Sequence, residues 1–344
     1  MSKVTMGDLA RQLGVSKNTV SLSLRHSPEI PAATRDRVLE VARQQGYTLN
    51  PVVSHLMAEL RKSRTRGSQH TIGLLNAYRT RDAFRGHPTI PAYVEGCRRR
   101  AQAQGYGIDL FWLHDPELDG TRLNRILFAR GIRSVIVVGT MDENQLPDRF
   151  ANVWTEHACI VTGVRTRKPR LSFCCVDHHG LVLEAVEQAI ALGYRRPALV
   201  IPERIDRLVE RRFSSGMWVG QQQLPAAQRV PAFFEIEKAR SDPARFHRWF
   251  DRAKPDVIFT LYHVVKEWIE SRGLQVPRDV GLIQLERRGA DDWAGMDQHN
   301  DLTGEAAVDM VISQLHNNEL GIPAQPRATL IEATWVPGKT VQAH

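Results

Sequence analysis

The stretch VTMGDLARQLGVSKNTVSLSLR, residues 4–25, predicts two short helices joined by a tight turn. Thr5, followed three residues later by Asp8, has the capping-box pattern of a helix start, and apolar residues recur at helical spacing after it. Gly14 ends this helix, and Ser16 is a natural N-cap for the next one. Two helices joined in this way form a helix-turn-helix, whose second helix enters the major groove of DNA.

The second helix is predicted over residues 17–25, with a core face and an outward face. Val20 and Leu24 are four residues apart and are expected to face the core. On the outward face, Lys17 and Asn18 can read base edges through hydrogen bonds. The DNA-contacting residues that we expect in this region are Thr5, Ser16, Lys17, Asn18, Thr19, Ser21, Leu22 and Arg25.

Two further helices are predicted before residue 61. The third covers about residues 32–45, with Val38, Leu39 and Ala42 facing inward and Gly46 as its end. A fourth, short helix follows Asn50, which is placed as an N-cap with a proline at the first helical position. The next ten residues, RKSRTRGSQH, are polar and basic and indicate a connector.

Charge is concentrated at the N-terminal end of the chain. The 344 residues have a net charge of +8, and residues 1–70 contain eleven Lys and Arg against five Asp and Glu, a net charge of +6. A basic module on a nearly neutral body suggests a polyanionic partner at that end only.

Composition indicates a globular protein of the cytoplasm. The chain is 42% hydrophobic and 24% charged, and it has neither a signal-peptide pattern nor an apolar run that could span a bilayer. Its cysteines lack the spacing of a disulfide framework or a zinc site, so we expect free thiols in a reducing compartment. They are Cys97, Cys159, Cys174 and Cys175.

Beyond residue 70, apolar strands alternate with amphipathic helices. Examples of the strands are HTIGLLN at 70–76, SVIVV at 134–138 and VIFT at 257–260. This alternation predicts parallel sheets covered by helices on both faces, and the length of the region suggests two such lobes. Doubly wound sheets bind ligands at the carboxyl ends of their strands, so a cleft between two lobes is the expected ligand site.

The first sixty residues resemble the DNA-binding headpiece of the LacI/GalR family of repressors. The resemblance is carried by D-x-A-x-x-x-G-V-S-x-x-T-V-S from Asp8, by T-R-x-R-V-x-x-x-A-x-x-x-G-Y from Thr34, and by the capped segment at Asn50. It implies that Asn50 begins a hinge helix that folds only on DNA, and that Leu56 wedges into the minor groove at the operator centre. The alternative for Leu56 is an ordinary core position. Leu22 departs from the family, which usually has Arg there, and offers only apolar contact to a thymine methyl group.

The remainder of the chain also resembles this family, whose core is similar to type I periplasmic sugar-binding proteins. We therefore expect a small all-α helix-turn-helix headpiece with a hinge helix, followed by an α/β periplasmic-binding-protein-like (type I) core of two doubly wound lobes. The boundaries are 1–48 for the DNA-binding domain, 49–69 for the hinge helix and linker, and 70–344 for the core, which binds effector and dimerises.

By position, the resemblance implies a small set of effector-binding residues. Carboxylates would accept bonds from vicinal hydroxyl groups, and an arginine would donate a planar fork. Two alternatives stay open, since Asp177 could simply cap a helix and Arg211 could be a solvated surface residue. The expected set is Asp177, Arg211, Tyr262, Glu286 and Gln298.

Departures from the family pattern leave the chemical identity of the effector open. Tyr262-His263 replaces an Asn-Asp pair, and Gln-Leu-Glu at 284–286 replaces Gly-Phe/Tyr-Asp. A neutral carbohydrate or polyol is favoured over an anionic sugar derivative, and a purine-like ligand stacked on Tyr262 is a third alternative. The anionic alternative rests on cationic residues expected near the cleft mouth, most of which could instead face solvent or pair with acids such as Asp82, Glu203 and Glu210. The cationic residues are Arg79, Arg81, Arg85, Arg204, Arg207, Arg211 and Arg212.

No enzyme or cofactor is expected. The sequence has no G-x-G-x-x-G, P-loop, G-x-S-x-G or H-E-x-x-H pattern, and for His178-His179 a solvated or capping role is favoured over a metal site. The expected partners are a near-palindromic operator duplex, a small effector and a second copy of the chain, because two-fold dimers bind such operators. A homodimer is expected rather than a tail-zipped tetramer, since no leucine-heptad tail follows the last strand. The alternatives are a stand-alone binding protein and an effector-independent regulator.

Overall fold

A computed structural model describes residues 4–24, 27, 29–47, 70–141, 143–287, 289 and 292–344. The N-terminal part contains three helices: α1 (Met6–Leu13), α2 (Lys17–Leu24) and α3 (Ala32–Gln44). They enclose a small core of Leu9, Ala10, Leu13, Val20, Val38 and Ala42, all at most 6% exposed. The predicted helix-turn-helix and third helix are therefore confirmed.

The termini of α1 and α2 follow the sequence signals closely. Thr5 caps α1 with both bonds of a capping box, and Gly14 ends it in the left-handed conformation at φ 66°. Ser16 Oγ accepts a hydrogen bond from the Thr19 amide at 2.9 Å and so caps α2. Leu24 and Leu39 were expected to face the core and are only half-buried. Leu24 packs at the rim of this core, because three short helices cannot enclose every apolar residue.

From residue 70 the chain alternates strands and helices. In chain order the elements are β1 (His70–Asn76), α4 (Ala83–Gly86), α5 (Ile90–Ala103), β2 (Tyr106–Trp112), α6 (Gly120–Ala129), β3 (Ser134–Val138), α7 (Ala151–Glu156), β4 (Ala158–Thr162), β5 (Ser172–Val176), α8 (His178–Ala191), β6 (Pro197–Val200), α9 (Glu203–Leu208), α10 (Arg212–Gln221), α11 (Ile236–Ser241), α12 (Ala244–Ala253), β7 (Val257–Thr260), α13 (Val264–Glu270), β8 (Gly281–Gln284), β9 (Ala294–Asp297), α14 (Asn300–His316), β10 (Ala328–Ile331) and β11 (Thr334–Val336).

The first lobe is built on a six-stranded parallel sheet. Its order is β10-β5-β4-β3-β1-β2, so the chain reverses its direction of travel across the sheet between β1 and β3. Apolar clusters cover both faces of this sheet. In doubly wound sheets a crevice opens at such a switch point, beyond the carboxyl ends of the two strands.

The second lobe has a five-stranded sheet in the order β11-β9-β8-β7-β6. Only β11 is antiparallel, to β9. On the far side of β6, Val200 forms a single parallel bridge to Phe233, which places the switch point of this lobe between β6 and β7. Two apolar clusters again cover the two faces. The predicted pair of doubly wound lobes is confirmed.

Three chain segments cross between the lobes. They follow β5 at Asp177, β9 at residues 298–299 and β10 at residues 332–333. The first and third lie side by side, because the Asp177 amide donates to the Ile331 carbonyl at 2.9 Å. As a consequence, α14 and β10 belong to the first lobe although they follow β6 to β9 of the second lobe in sequence, and β11 returns to the second lobe after them.

In the first lobe, α14 packs very closely against α5. A Cβ atom placed on Gly96 would lie 1.9 Å from the Asp301 carbonyl oxygen, and one on Gly304 would lie 2.2 Å from the Tyr93 carbonyl oxygen. Glycine at both positions is therefore required for the two backbones to touch.

Candidate nucleic-acid interface and ligand cleft

The surface of the headpiece that we expect to contact DNA includes the start of α2. Lys17 and Asn18 are exposed, and Thr19 is half-buried. Ser21 and Leu22 were expected to face outward and are half-buried. Ser16 and Thr19 also share a hydroxyl contact of 2.8 Å, so part of their polar capacity is used to cap the helix.

The start of α1 is rigidly organised beside this surface. Thr5 donates through its amide to Asp8 Oδ2 at 2.9 Å and through its hydroxyl at 2.6 Å. These hydrogen bonds lower the pKa of Asp8 below its usual value, with the Arg11 guanidinium contributing in the same direction. Arg37 on α3 donates to the Leu13 carbonyl at 2.7 Å and so ties α3 to the end of α1.

Three of the predicted DNA-contacting residues lie outside the described residues. They are Arg25, Asn50 and Leu56. The other seven are brought together along α2 and the first turn of α1, and they stay predictions as contacts.

A cavity of about 360 Å³ opens at the switch point of the first lobe. Its wall includes the segment after β1 (Ala77 and Arg79), His114 after β2, and the segment after β3, where Gly139, Thr140 and Met141 lie. Thr140 is 5% exposed, and its hydroxyl has no hydrogen-bond partner among the described residues. A buried hydroxyl in a cavity wall is a group that a polar ligand can satisfy. None of the five predicted effector residues lines this cavity.

Two of those five follow the neighbouring parallel strands β8 and β9 of the second lobe. Glu286, 7% exposed, accepts a hydrogen bond at 3.1 Å from Asn300 Nδ2. Gln298, 4% exposed, donates to the Leu285 carbonyl at 2.8 Å. Gln298 thus lies in the crossover from β9 to α14, and Glu286 contacts Asn300 at the first position of the helix.

Tyr262 follows β7, the parallel neighbour of β8, and is half-buried. The Arg240 guanidinium lies over its ring at 5.4 Å, which is a cation–π contact. The neighbouring His263 contacts Gln284 at 3.2 Å and stacks edge-on against Trp293. The Tyr262 ring therefore already has one cationic neighbour on the lobe itself.

Asp177 caps α8 in the first of the three crossovers. Its Oδ1 accepts hydrogen bonds from the amides of His179 at 3.2 Å and Gly180 at 3.1 Å. The helix begins at His178, three residues earlier than its apolar pattern indicates. The capping alternative for Asp177 is confirmed, and its role toward an effector stays a prediction.

The neighbouring His178 corrects a prediction. A solvated or capping role was favoured for the histidine pair, yet His178 is 6% exposed and stacks edge-on against Phe213 at 4.9 Å. The reason is that the first residue of α8 faces α10, which packs along it. Burial, reinforced by the Arg212 guanidinium, lowers the pKa of His178 to about 3, so its imidazole is neutral.

Arg211 lies in an unusual turn between α9 and α10. Arg211 and the preceding Glu210 both have positive φ, 60° and 58°. The Arg211 side chain is 52% exposed and pairs with Glu203 at 3.1 Å, and the buried Asp206 carboxylate lies 3.8 Å away. Asp206 also accepts a hydrogen bond from the Ser214 amide at 3.1 Å, which fixes the start of α10.

The sequence did not point to a polar cluster that joins the lobes. We call it the Glu210 cluster, and it consists of Arg165, Arg167, Glu210 and Arg212. Arg165 and Arg167 of the first lobe each approach Glu210 of the second lobe at 3.3 Å, and Arg212 approaches it at 3.9 Å. Two further interlobe bonds lie nearby, from Arg204 to the Met141 carbonyl at 2.9 Å and from Asn144 to the Leu208 carbonyl at 2.8 Å.

The four cysteines are free and buried, as expected. Burial raises the pKa of each thiol, that of Cys175 to about 11 even though Arg212 donates to its sulfur. Among the described residues, no group of three or more His, Cys, Asp or Glu is placed to hold a metal ion. No helix in the described part of the chain is long and apolar enough to cross a membrane.

The geometry defines a class of protein, a helix-turn-helix module joined to a two-lobe α/β binding fold. Comparison with known proteins agrees. Residues 5–50 match the family model described as bacterial regulatory proteins, lacI family, and residues 186–341 match that of a periplasmic binding protein-like domain. The headpiece is thus the DNA-binding domain of the LacI family, and the resemblance seen in the sequence is confirmed.

Two individual relatives share less than a third of their aligned residues with this chain. The chain is 27% identical over 216 residues to the HTH-type transcriptional regulator AglR of Rhizobium meliloti (strain 1021), covering 61% of this chain and 56% of that one. It is 29% identical over 196 residues to RafR of Escherichia coli, covering 56% and 53%. The chain spans about half the length of these curated relatives.

Solved structures show the same fold. A transcriptional regulator CelR–cellobiose complex is similar with a TM-score of 0.57 at 17% identity, covering 98% of this chain and 99% of that one. The lac repressor dimer bound to operator and the anti-inducer ONPF is similar with a TM-score of 0.58 at 18% identity, covering 99% and 100%. At these identities the likeness concerns the fold alone.

Proposed function

We propose that this chain is a sequence-specific, DNA-binding transcriptional regulator of the cytoplasm whose operator affinity is controlled by a small polar effector. The observation that carries the proposal is the union in one chain of an exposed, capped recognition helix and a two-lobe fold with a cavity at its switch point. A neutral carbohydrate or polyol is the favoured effector, in keeping with the cellobiose in the CelR structure.

The chain acts as a homodimer on a near-palindromic operator and is not an enzyme. Two-fold symmetry of the protein is what such an operator mirrors, because each headpiece reads one half-site. Repression is the commoner outcome in the family. The residues proposed to bind the effector are Asp177, Arg211, Tyr262, Glu286 and Gln298, joined by Thr140 from the first-lobe cavity.

Selection from a random duplex library by the full chain tests the DNA part. The expected product is a two-fold symmetric sequence bound at nanomolar to tens of nanomolar concentration, with far weaker binding to scrambled duplexes. Sedimentation of the free protein should show a dimer. A stable monomer at micromolar concentration, or selection of no sequence, would contradict the proposal.

A thermal-shift screen of sugars, polyols, sugar phosphates, uronates and nucleobases tests the effector part. A true effector raises the melting temperature and changes operator affinity, since it must bind one lobe arrangement better than the other. Thr140→Val removes the unpartnered hydroxyl at nearly constant volume. If the effector occupies the cavity, this variant should bind it more weakly.

A second candidate is an effector-independent regulator. The polar groups of two proposed effector residues already have partners, which favours this alternative. Asp177 accepts hydrogen bonds from the start of α8, and Arg211 forms an ion pair with Glu203. Under this alternative no compound in the screen raises the melting temperature, and Arg211→Ala leaves promoter regulation unchanged.

A further inference from the structure

We infer that Gly7 is a specificity-determining residue of the DNA interface, because it lets the Lys17 side chain lie across the first turn of α1. The inference rests on the proposed DNA-binding function and concerns how one of its base readers is held. Gly7 itself carries no group that could read a base.

The contact between the two residues is close. A Cβ atom placed on Gly7 would lie 3.0 Å from Lys17 Cε, 3.5 Å from Lys17 Nζ and 3.6 Å from Thr5 Oγ1. The end of the Lys17 chain therefore lies so close to position 7 that a Cβ atom there would push it away by a few tenths of an ångström. It runs from the start of α2 back over α1 and places its ammonium group beside the first turn of that helix.

Backbone geometry does not explain the glycine. Gly7 is the second residue of α1, and its φ is not among the positive values of the chain. Alanine is the better helix former at such a position, and glycine the poorest after proline. The structural consequence of glycine at this position is the open space that Lys17 uses.

Hydrogen bonds fix the first turn of α1 beneath Lys17, whereas the Lys17 ammonium group forms none with a described residue. The capping box between Thr5 and Asp8 fixes the first turn of α1. The Asp8 carboxylate is engaged by Thr5 and Arg11. Within the described part of the chain Lys17 has no hydrogen bond or ion pair, and it is exposed. A long, flexible side chain that rests on a rigid surface loses less freedom when it binds, so its ammonium group meets DNA from a defined direction.

A methyl group at position 7 should displace Lys17 and leave the fold intact. The atom that it would meet is the far end of a flexible side chain, which can move at little cost, and no backbone atom lies among its three nearest neighbours. Gly7→Ala should therefore leave the melting temperature unchanged or slightly raised while altering where the Lys17 ammonium group lies.

The test is a double-mutant cycle in the full chain. Operator selected by the unsubstituted protein and a scrambled duplex are titrated against four proteins at one salt concentration: the unsubstituted chain, Gly7→Ala, Lys17→Ala and the double variant. We expect Gly7→Ala to reduce the ratio of operator to scrambled affinity at least fivefold. In the Lys17→Ala background the same substitution should change the ratio less than twofold.

Repeated selection with Gly7→Ala gives an independent readout. The base preferences that change should fall at the positions that also change with Lys17→Ala, and Gly7→Ser should act in the same direction. Equal effects of Gly7→Ala in both backgrounds, or no effect on the affinity ratio, would overturn the inference. If the unsubstituted chain selects no sequence, the proposed function itself fails, which is a different result.

Discussion

At the scale of single residues, Leu22 sets this recognition helix apart from those of the family that it resembles. Leu22 is half-buried on α2, between the exposed start of the helix and its core face. An aliphatic side chain there can contact a thymine methyl group but cannot donate to guanine, whereas arginine donates to guanine O6 and N7. The operator of this protein is therefore expected to differ from those read by an arginine at this position.

We predict that Leu22→Arg shifts the selected operator toward guanine at one position of each half-site. A bidentate arginine–guanine contact discriminates against the wrong base by about 1–3 kcal/mol. Library selection with the variant measures the shift, and Glu29→Gln, which makes the same +1 change in charge at an exposed position outside α2, is the control. The same base preferences in Leu22→Arg and the unsubstituted chain would show that position 22 does not face the bases.

His178 makes stability depend on pH. In the folded state its pKa is about 3, whereas an unfolded histidine has a pKa near 6.5. Below pH 6.5 the unfolded chain binds a proton that the folded chain does not, so stability is full above pH 6.5 and falls as the pH drops toward 3. The slope is about 1.4 kcal/mol per pH unit, so the loss is on the order of 2 kcal/mol at pH 5.

The measurement is the free energy of unfolding in denaturant at pH 7.5 and pH 5. His178→Gln, which cannot titrate, should lose less stability than the unsubstituted chain between these two values. His157, whose pKa burial also lowers, stays in both proteins and cancels in the comparison. Parallel pH profiles for the two proteins would contradict the assignment.

At the scale of elements, the capping role of Asp177 can be separated from its proposed effector role. Asp177→Ala removes the oxygen that accepts both hydrogen bonds at the start of α8 and should cost about 0.5–2 kcal/mol. Asp177→Asn keeps an oxygen for the amides of His179 and Gly180, so it should cost far less. Thermal unfolding measures the difference between these two variants.

If Asp177 also binds the effector, Asp177→Asn should still lose much of the ligand-induced stabilisation. An unchanged ligand response in the asparagine variant, together with a destabilised alanine variant, would show that the residue only caps its helix.

The contact between α5 and α14 gives a second prediction at this scale. In Gly304→Ala the new methyl group would lie 2.2 Å from the Tyr93 carbonyl oxygen, so the two helices must separate. Overpacking of this kind costs about 1–3 kcal/mol. We expect a lower melting temperature, whereas Ser313→Ala, on the exposed side of the same helix, should be nearly neutral. If Gly304→Ala and the unsubstituted chain had equal melting temperatures, the two helices could move apart without a cost in stability.

Elements were the scale at which the sequence was most informative. Continuous apolar strands such as β3 and β7 have the predicted bounds, because burial on both faces leaves little ambiguity. Apolar spacing does not mark the start of α8 at His178, since its first turn is polar and is defined by the Asp177 cap. The bridge at Phe233 could not be predicted from the sequence, because a single residue pair is too short to leave a periodic pattern.

At the scale of the whole molecule, the Glu210 cluster forms ion pairs between the two lobes. It could not be predicted from the sequence, since Glu210 lies 45 and 43 positions from Arg165 and Arg167. Its turn also has positive φ at two residues that are not glycine. Tertiary contacts impose that conformation, and no local signal marks it.

We predict that Glu210→Gln loosens the contact between the lobes. Each ion pair is partly exposed and contributes at most about 1 kcal/mol, so the folded state should survive. Small-angle scattering should show a larger radius of gyration, and proteolysis near residues 163–171 should be faster. Glu203→Gln, which removes a pair within the second lobe alone, is the matched control. Equal radii for both variants would show that the cluster does not hold the lobes.

The three crossovers also determine the order in which a ribosome can complete this protein. The second lobe is made from residues 177–297 together with β11, whereas the first lobe needs α14 and β10, which are synthesised only after residues 177–297. Until then α5 lacks the helix against which its glycine packs, and β5 lacks its outer neighbour. The half-built first lobe therefore exposes apolar surface for most of translation, which is the state that chaperones bind.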